Sequence, residues 1–422
     1  MPWHQEDWRH LTADAQKAEL ERYVVRDRAR GIALERAPLM RCALFRLGDE
    51  RYQLLWTHHH IIADGWSGGI IQEDVFALYE QLRAGRTPEP QPTTSYQVLI
   101  DHLKRGDDGR SRQYWRRKIQ SVSSSPLDLP VPDHTTVDQL DGDTDGDTTA
   151  SVPTAETWIV NRQLSDQLKG YLRAKRVTLA AVFQGLWSIV LARIAHSDDV
   201  LFGVTVSGRP PELAEAQRCV GLFTDTRPVH LSLRRDMPVL ELFQQLMAEQ
   251  AARDEYPHCS LREIKELCGA PASERLFDTL LAVDNFPHMA VGGHSLGGLR
   301  FGQENLLEQN DFPLTVIVEG GDNVRMRVHY DARLIHPGIP QQLLRCLDVA
   351  LRHVVATDSS DKPALTVAQV PLLDPGNVAE HQPSGIRQRF PMGRSLAQRF
   401  ADVARERGQE LALVWPSDEE WP

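Results

Sequence analysis

His58-His59-His60-Ile61-Ile62-Ala63-Asp64-Gly65-Trp66-Ser67 is the stretch on which the reading of this chain turns, because it sets the spacing His-His-x-x-x-Asp-Gly at a change of backbone period. Ahead of it Tyr52, Leu54 and Trp56 alternate with Gln53, Leu55 and Thr57, the period-2 pattern of a strand with one buried face. Behind it Ile71, Val75, Leu78, Tyr79 and Leu82 recur at helical spacing, with Ser67 as the expected N-cap. Gly65, Gly68 and Gly69 suit a tight loop between the two, since glycine reaches backbone conformations that other residues avoid. The stretch reads as strand, loop and amphipathic helix, with the histidines at the strand's end.

A neutral imidazole has one donor and one acceptor nitrogen and titrates near pH ~6.5, so an aimed histidine can take a proton from an attacking amine or hydroxyl. His60 is the candidate for that work, with His59 beside it. Asp64, four residues on, is expected to accept hydrogen bonds or an arginine pair and to fix the loop's shape. The bland alternative is three histidines that only solvate a strand end or catch a stray metal ion, and context decides between the two.

Outward from this stretch the chain falls into two sets of elements. Residues 11 to 35 carry a helical pattern, and Pro38-Leu39-Met40-Arg41 opens a strand from Met40 to Leu47. Gly48-Asp49-Glu50 turns it back into the strand that delivers the histidines. Tyr96 to Ile100 and Gln113 to Arg116 follow as aromatic-bearing helices, and residues 121 to 151, rich in Ser, Thr, Pro and Asp, read as a loop. A second set begins with a strand at Trp158-Ile159-Val160 and a helix from Leu164 to Arg173. Thr178 then caps a long apolar helix, and the strand Val200 to Val206 runs into Ser207-Gly208-Arg209-Pro210. Val324, Met326, Val328 and Tyr330 alternate like a central strand, and a helix runs from Gln341 through Leu351.

Taken together, the His-His-x-x-x-Asp-Gly run, the Pro-Leu-x-Arg hairpin ahead of it, Ser207-Gly208-Arg209 and Val220-Gly221-Leu222-Phe223-Thr224-Asp225-Thr226 resemble the condensation domains of nonribosomal peptide synthetases. Tyr256-Pro257-His258, Arg275-Leu276-Phe277-Asp278 and Asp311-Phe312-Pro313-Leu314 also find counterparts there, and the resemblance covers roughly residues 10 to 360. It implies the two-lobed α/β fold of the chloramphenicol acetyltransferase type, two mixed-sheet sandwiches in a V, with the first lobe incomplete. In the family a longer segment with an Arg-His-x-x-Leu-Arg motif precedes the hairpin, so the chain is expected to be N-terminally truncated.

The implied division is 1–125 for the rest of the first lobe, 126–154 for an acidic inter-lobe loop, 155–364 for the second lobe and 365–394 for a linker. Residues 395–422, with Ser395 to Phe400 and Glu410 to Val414, resemble the entry to an adenylation domain. The implied reaction is amide formation between carrier-tethered aminoacyl or peptidyl thioesters. In it His60 acts as base or positioning group, Gly65 offers close backbone approach, Asp64 holds the loop with Arg209 as candidate partner, and Trp66 supports it. Asp225 stands where the family has asparagine, an acceptor-only group in place of an amide donor. The implied partners are carrier domains, which bring the 4′-phosphopantetheine arms, and an adenylation domain, with no cofactor bound directly. Related alternatives are an epimerisation domain, a free acyltransferase of the same fold, or a fragment that only binds carriers.

A net charge of -11 and a pI near 5.8, with no basic patch interleaved with aromatics, argue against nucleic-acid binding. The five cysteines are scattered without paired spacing, as in a reducing cytoplasm, and no apolar run approaches membrane-spanning length. Two rival motifs remain. Asp141-x-Asp143-x-Asp145-Gly146 imitates the start of a calcium loop, but its twelfth position is Val152 where a bidentate glutamate is required. Gly293-His294-Ser295-Leu296-Gly297 matches the nucleophile elbow of serine hydrolases, yet it lacks an apolar strand before it and a helix after it, so a loop between two strands is expected.

Overall fold

In the computed structural model the described residues are 1–104, 109–119, 153–210, 213–269, 274–284, 295–296, 299–300, 302, 311–357 and 364–374. The hairpin forms as β2 (Met40–Arg46) and β3 (Tyr52–His58), in antiparallel register with Met40 opposite His58 and Arg46 opposite Tyr52. A strand the sequence pattern does not announce, β1 (Trp3–Asp7), runs parallel to β2, giving the order β1-β2-β3. All five of its residues are exposed, so no buried periodicity marks it.

Helix α1 (Ala13–Ala29), capped by Thr12, covers one face of this sheet. There Trp8, Ala43 and Phe45 are buried with Leu20, Tyr23 and Leu55 packed around them, and the Trp8 and Phe45 rings stack at 4.0 Å. The inward face of β3 is therefore the one with Leu55 and Thr57, whose hydroxyl donates to Asp27 Oδ2 at 2.7 Å. Tyr52 and Leu54, the more apolar face, are exposed.

Helix α2 (Gly65–Arg83) starts earlier than expected. Asp64, not Ser67, is its N-cap, and Gly65, Gly68 and Gly69 lie in its first turns rather than in a loop. The carboxylate reaches the backbone N–H three residues on, which a serine at position 67 cannot do for this turn. Helices α3 (Gln97–Lys104) and α4 (Arg110–Lys118) follow.

The second set of elements is built on a six-stranded mixed sheet of β4 (Pro153–Ile159), β5 (Asp199–Ser207), β6 (Thr224–Ser232), β7 (Thr279–Asp284), β10 (Leu314–Glu319) and β11 (Arg325–Asp331), ordered β4-β11-β10-β7-β5-β6. Between β7 and β10 a separate two-stranded ribbon pairs β8 (Ser295–Leu296) with β9 (Leu299–Arg300). The main core lies under α5 (Arg162–Lys175), α6 (Leu179–Ile194), α7 (Val239–Asp254) and α9 (Gly338–Thr357). Helix α6, capped by Thr178, is buried from Ala181 through Leu191 because apolar residues occur on all its faces. Gly185 lets α7 cross it closely: a Cβ there would lie 2.5 Å from the Phe243 ring.

A smaller core, between α4 and α8 (Leu261–Leu267), holds Trp115, Ile119, Leu201, Ile264 and Phe277. Residues 110–119, grouped by position with the first lobe, thus pack on the second. At the other end Val367 and Val370 are buried in the main core, and Leu365 and Val367 hydrogen-bond back to Val239 and Met237. The second lobe therefore runs past residue 364, where the linker was expected to begin. Residues Met1–Leu372 form one compact unit; of the second, Leu373–Pro422, only Leu373 and Asp374 are described. The acidic stretch from Asp141 and the adenylation-like run from Ser395 lie outside the described residues.

Candidate active site

Strand β3 ends at His58, whose ring stacks on Trp56 at 4.5 Å. Burial pushes the His58 imidazole below its ordinary pKa, with His60 and His59 adding to the effect. His59 caps a single 3₁₀ turn, His60–Ile62: its Nδ1 accepts from the Ile61 N–H at 3.1 Å, which places the proton of the neutral ring on Nε2. His60 is exposed, and its carbonyl accepts from the Ala63 N–H at 3.3 Å. The imidazole expected to do chemistry is thus open to solvent on a one-turn platform.

That platform is followed at once by buried charge. Asp64 and Arg209 form an ion pair at 3.2 Å with each side chain 3% exposed. Asp64 Oδ1 also accepts from the Ser67 N–H at 2.8 Å, and Oδ2 from the Phe223 N–H at 3.1 Å. Arg209 Nη2 donates to Ser67 Oγ at 3.0 Å, while Nη1 donates to the carbonyls of Ala216 and, at 2.9 Å, of Cys219. Its guanidinium lies 3.9 Å above the centroid of Phe223 and 5.6 Å from that of Trp66. Burial pulls the arginine down from its ordinary pKa, and the Asp64 carboxylate opposes that pull. A buried pair is tolerable when each partner's remaining groups are hydrogen-bonded, and here most of them are.

The sequence-predicted residues divide accordingly. Asp64, Trp66 and Arg209 come together, although Asp64 and Arg209 stand 145 positions apart, and Gly65 opens the helix beside them. Trp66 Nε1 donates to the Gln217 carbonyl at 3.0 Å. Asp225 is engaged elsewhere: its carboxylate pairs with Arg227 at 2.5 Å and accepts from the Thr226 N–H at 2.8 Å. Burial raises its pKa against the pull of Arg227. Ser295 sits in β8, paired with Arg300, not at a strand-to-helix turn. Among the described residues no group of three or more His, Cys, Asp or Glu is arranged to hold a metal ion.

Three residues the motif reading passed over complete the arrangement: Ser67 in a role beyond capping, Gly221 and Tyr96. Both backbone groups of Gly221 turn toward the histidine segment, and the Tyr96 ring covers its other side while its hydroxyl donates to the Leu222 carbonyl. A Cβ on Gly221 would lie 2.0 Å from the Tyr96 ring. The glycine heading the Gly-x-Phe element was the available signal for such a close approach.

Residues 1–368 match the family described as the condensation domain. The chain is 31% identical over 349 residues to one of the linear gramicidin synthase proteins of Brevibacillus parabrevis, covering 81% of this chain and 6% of that protein. It is 27% identical over 423 residues to surfactin synthase subunit 2 of Bacillus subtilis (strain 168), covering 98% of this chain and 11% of that protein. Among solved structures, a four-domain nonribosomal peptide synthetase bound to AMP and glycine superposes with a TM-score of 0.70 at 16% identity, over 89% of this chain and 28% of that one. The first condensation domain of the calcium-dependent antibiotic synthetase, in complex with a substrate analogue, does so with 0.66 at 20% identity, over 88% of this chain and 78% of that one. The chain thus spans a small fraction of the length of these curated relatives, and its architecture is the two-lobed α/β fold of the solved domains.

Proposed function

The chain belongs to the condensation-domain family, and from that premise we propose that it forms amide bonds between carrier-tethered aminoacyl or peptidyl groups. The observation that carries this reading is an exposed histidine, His60, set at a strand end on a turn whose following residues are locked by a buried ion pair. In the proposed reaction the free amine of an acceptor aminoacyl group attacks the donor's thioester carbonyl. A C–N bond forms, the C–S bond breaks, and the thiol returns to the donor's 4′-phosphopantetheine arm. His60 takes the proton that nitrogen loses and returns it to sulfur, or hydrogen-bonds the charge that develops as the carbonyl is attacked. Asp64 is committed to Arg209, Ser67 and Phe223, so it serves by holding the turn and not by touching substrate.

The partners we propose are carrier domains and an adenylation domain, in keeping with curated relatives many times longer than this chain. Residues 395–422 are read as the entry to such an adenylation domain. A cytoplasmic setting fits five free cysteines, and among the described residues no single helix is long and apolar enough to cross a membrane.

The test mixes the protein with a loaded donor carrier and a loaded acceptor carrier and follows condensed product by mass spectrometry. His60→Ala is expected to lower the rate by about 10²–10⁴-fold. Product at the parental rate from this variant would overturn the assignment.

A further inference from the structure

We infer that Ser67 is a positioning residue for His60, registering the histidine turn against the second lobe through Gly221. The inference rests on the reading of His60 as the group that meets the reacting amine. Ser67 is fully buried. Its hydroxyl donates to the Gly221 carbonyl at 2.8 Å and accepts from the Gly221 N–H at 3.1 Å and from Arg209 Nη2 at 3.0 Å. One donor and two acceptor sites are all a hydroxyl has, and each is used on a group from the far side of the 3.2 Å ion pair.

The contact is tight in both directions. Toward the histidines, the Ser67 N–H is held by Asp64 Oδ1, the Asp64 N–H donates to the Gly221 carbonyl at 3.2 Å, and the Ala63 N–H closes on His60. Away from them, Gly221 has no room to recede, because the Tyr96 ring lies against it. A side chain that only filled space would leave the Gly221 N–H without its partner and Arg209 Nη2 with Asp64 alone. The start of α2, which anchors the turn bearing His60 through Asp64, would then lose one of its ties to the opposite lobe and keep those that Asp64 itself makes, without losing its apolar packing. A displacement of about 1 Å at a reacting group is enough to cost on the order of 10²-fold in rate.

Two readouts separate this role from plain structural support. With loaded carriers as substrates, Ser67→Ala is expected to lower kcat by about 10–100-fold while leaving KM for either carrier essentially unchanged and the far-UV circular dichroism at the assay temperature intact. Independently of any turnover, diethyl pyrocarbonate labelling followed by peptide mass spectrometry should show His60 modified at a changed rate in the variant, with the exposed His4 as an unchanged internal control. Ser67→Thr, which keeps the hydroxyl, is expected to restore kcat at least in part. If Ser67→Ala does not accumulate folded, Ser67→Cys carries the same comparison, since thiols hydrogen-bond weakly at similar volume. A kcat loss fully accounted for by the unfolded fraction, with His60 labelling unmoved, overturns the inference. Parent protein that makes no product at all, while His60 labelling still responds to Ser67, would instead overturn the reading of the reaction and leave the positional tie standing.

Discussion

Replacing Arg209 with methionine removes one half of the buried ion pair and leaves the other half in place. Asp64 would keep its bonds from the Ser67 and Phe223 N–H groups but lose its counter-charge. The carbonyls of Ala216 and Cys219 and the Ser67 hydroxyl would each lose a donor. Removing one partner from a buried pair costs about 3–5 kcal/mol. The methionine keeps part of the contact with the Phe223 ring, so the effect should not exceed that range. Against a typical total of about 5–15 kcal/mol this is a large share of the stability.

Urea unfolding of the full chain, followed by far-UV circular dichroism, measures it, and the double variant Asp64→Asn/Arg209→Met closes the cycle. The double variant is expected to fall short of the summed single effects by about 1–3 kcal/mol, because the second change removes a charge the first had stranded. A loss below about 1 kcal/mol for Arg209→Met, or simple addition in the double variant, would refute the claim that this pair is buried and coupled.

Two further expectations follow from the same region. Gly221→Ala pushes a Cβ into the Tyr96 ring and should destabilise by about 1–3 kcal/mol; Tyr96→Ala in the same chain should recover part of that loss, and strict additivity of the two melting shifts would count against the close approach. His58, whose folded pKa lies below the unfolded 6.5, contributes stability that is present above pH 6.5 and is lost as pH falls through the folded value. Urea midpoints should therefore drop on acidification below that point, and His58→Gln should flatten this part of the profile; an unchanged slope in the variant would assign the acid loss elsewhere.

The parts legible in the sequence were those where periodicity and capping agree. The switch from period 2 before His58 to helical spacing after Ser67 located both β3 and α2, and Thr178 with its apolar run located α6. Strand β1 was not legible, because Trp3–Asp7 is a wholly exposed edge strand whose hydrogen bonds to β2, not its side chains, define it. The buried face of β3 was hidden for a related reason: Leu55 finds its partners in Trp8, Phe45 and α1, none of which alternation within β3 reveals. Trp115 reads as an aromatic on a helix, and only the distant Leu201 and Phe277 show that it serves the second lobe. At the candidate site the charged pair could be suspected from two motifs, whereas for the Ser67–Gly221 tie the glycine of the Gly-x-Phe element signals only a close approach, and nothing in the pattern names the Ser67 hydroxyl as its partner.

The long separation between Asp64 and Arg209 also has a meaning for how the chain reaches its native state. Closing a loop of 145 residues carries an entropic penalty of roughly 4 kcal/mol by (3/2)RT ln n, more than the coupling of about 1–3 kcal/mol expected between its two ends. Such a contact cannot seed folding; it is gained only after the hairpin and the six-stranded sheet have separately taken shape and brought its two ends near each other. The clasp then belongs to the native side of the kinetic barrier, and in stopped-flow experiments Arg209→Met should speed unfolding while leaving the refolding limb nearly where it was. The residues of the candidate site would on this account be among the last to assemble and the first to open.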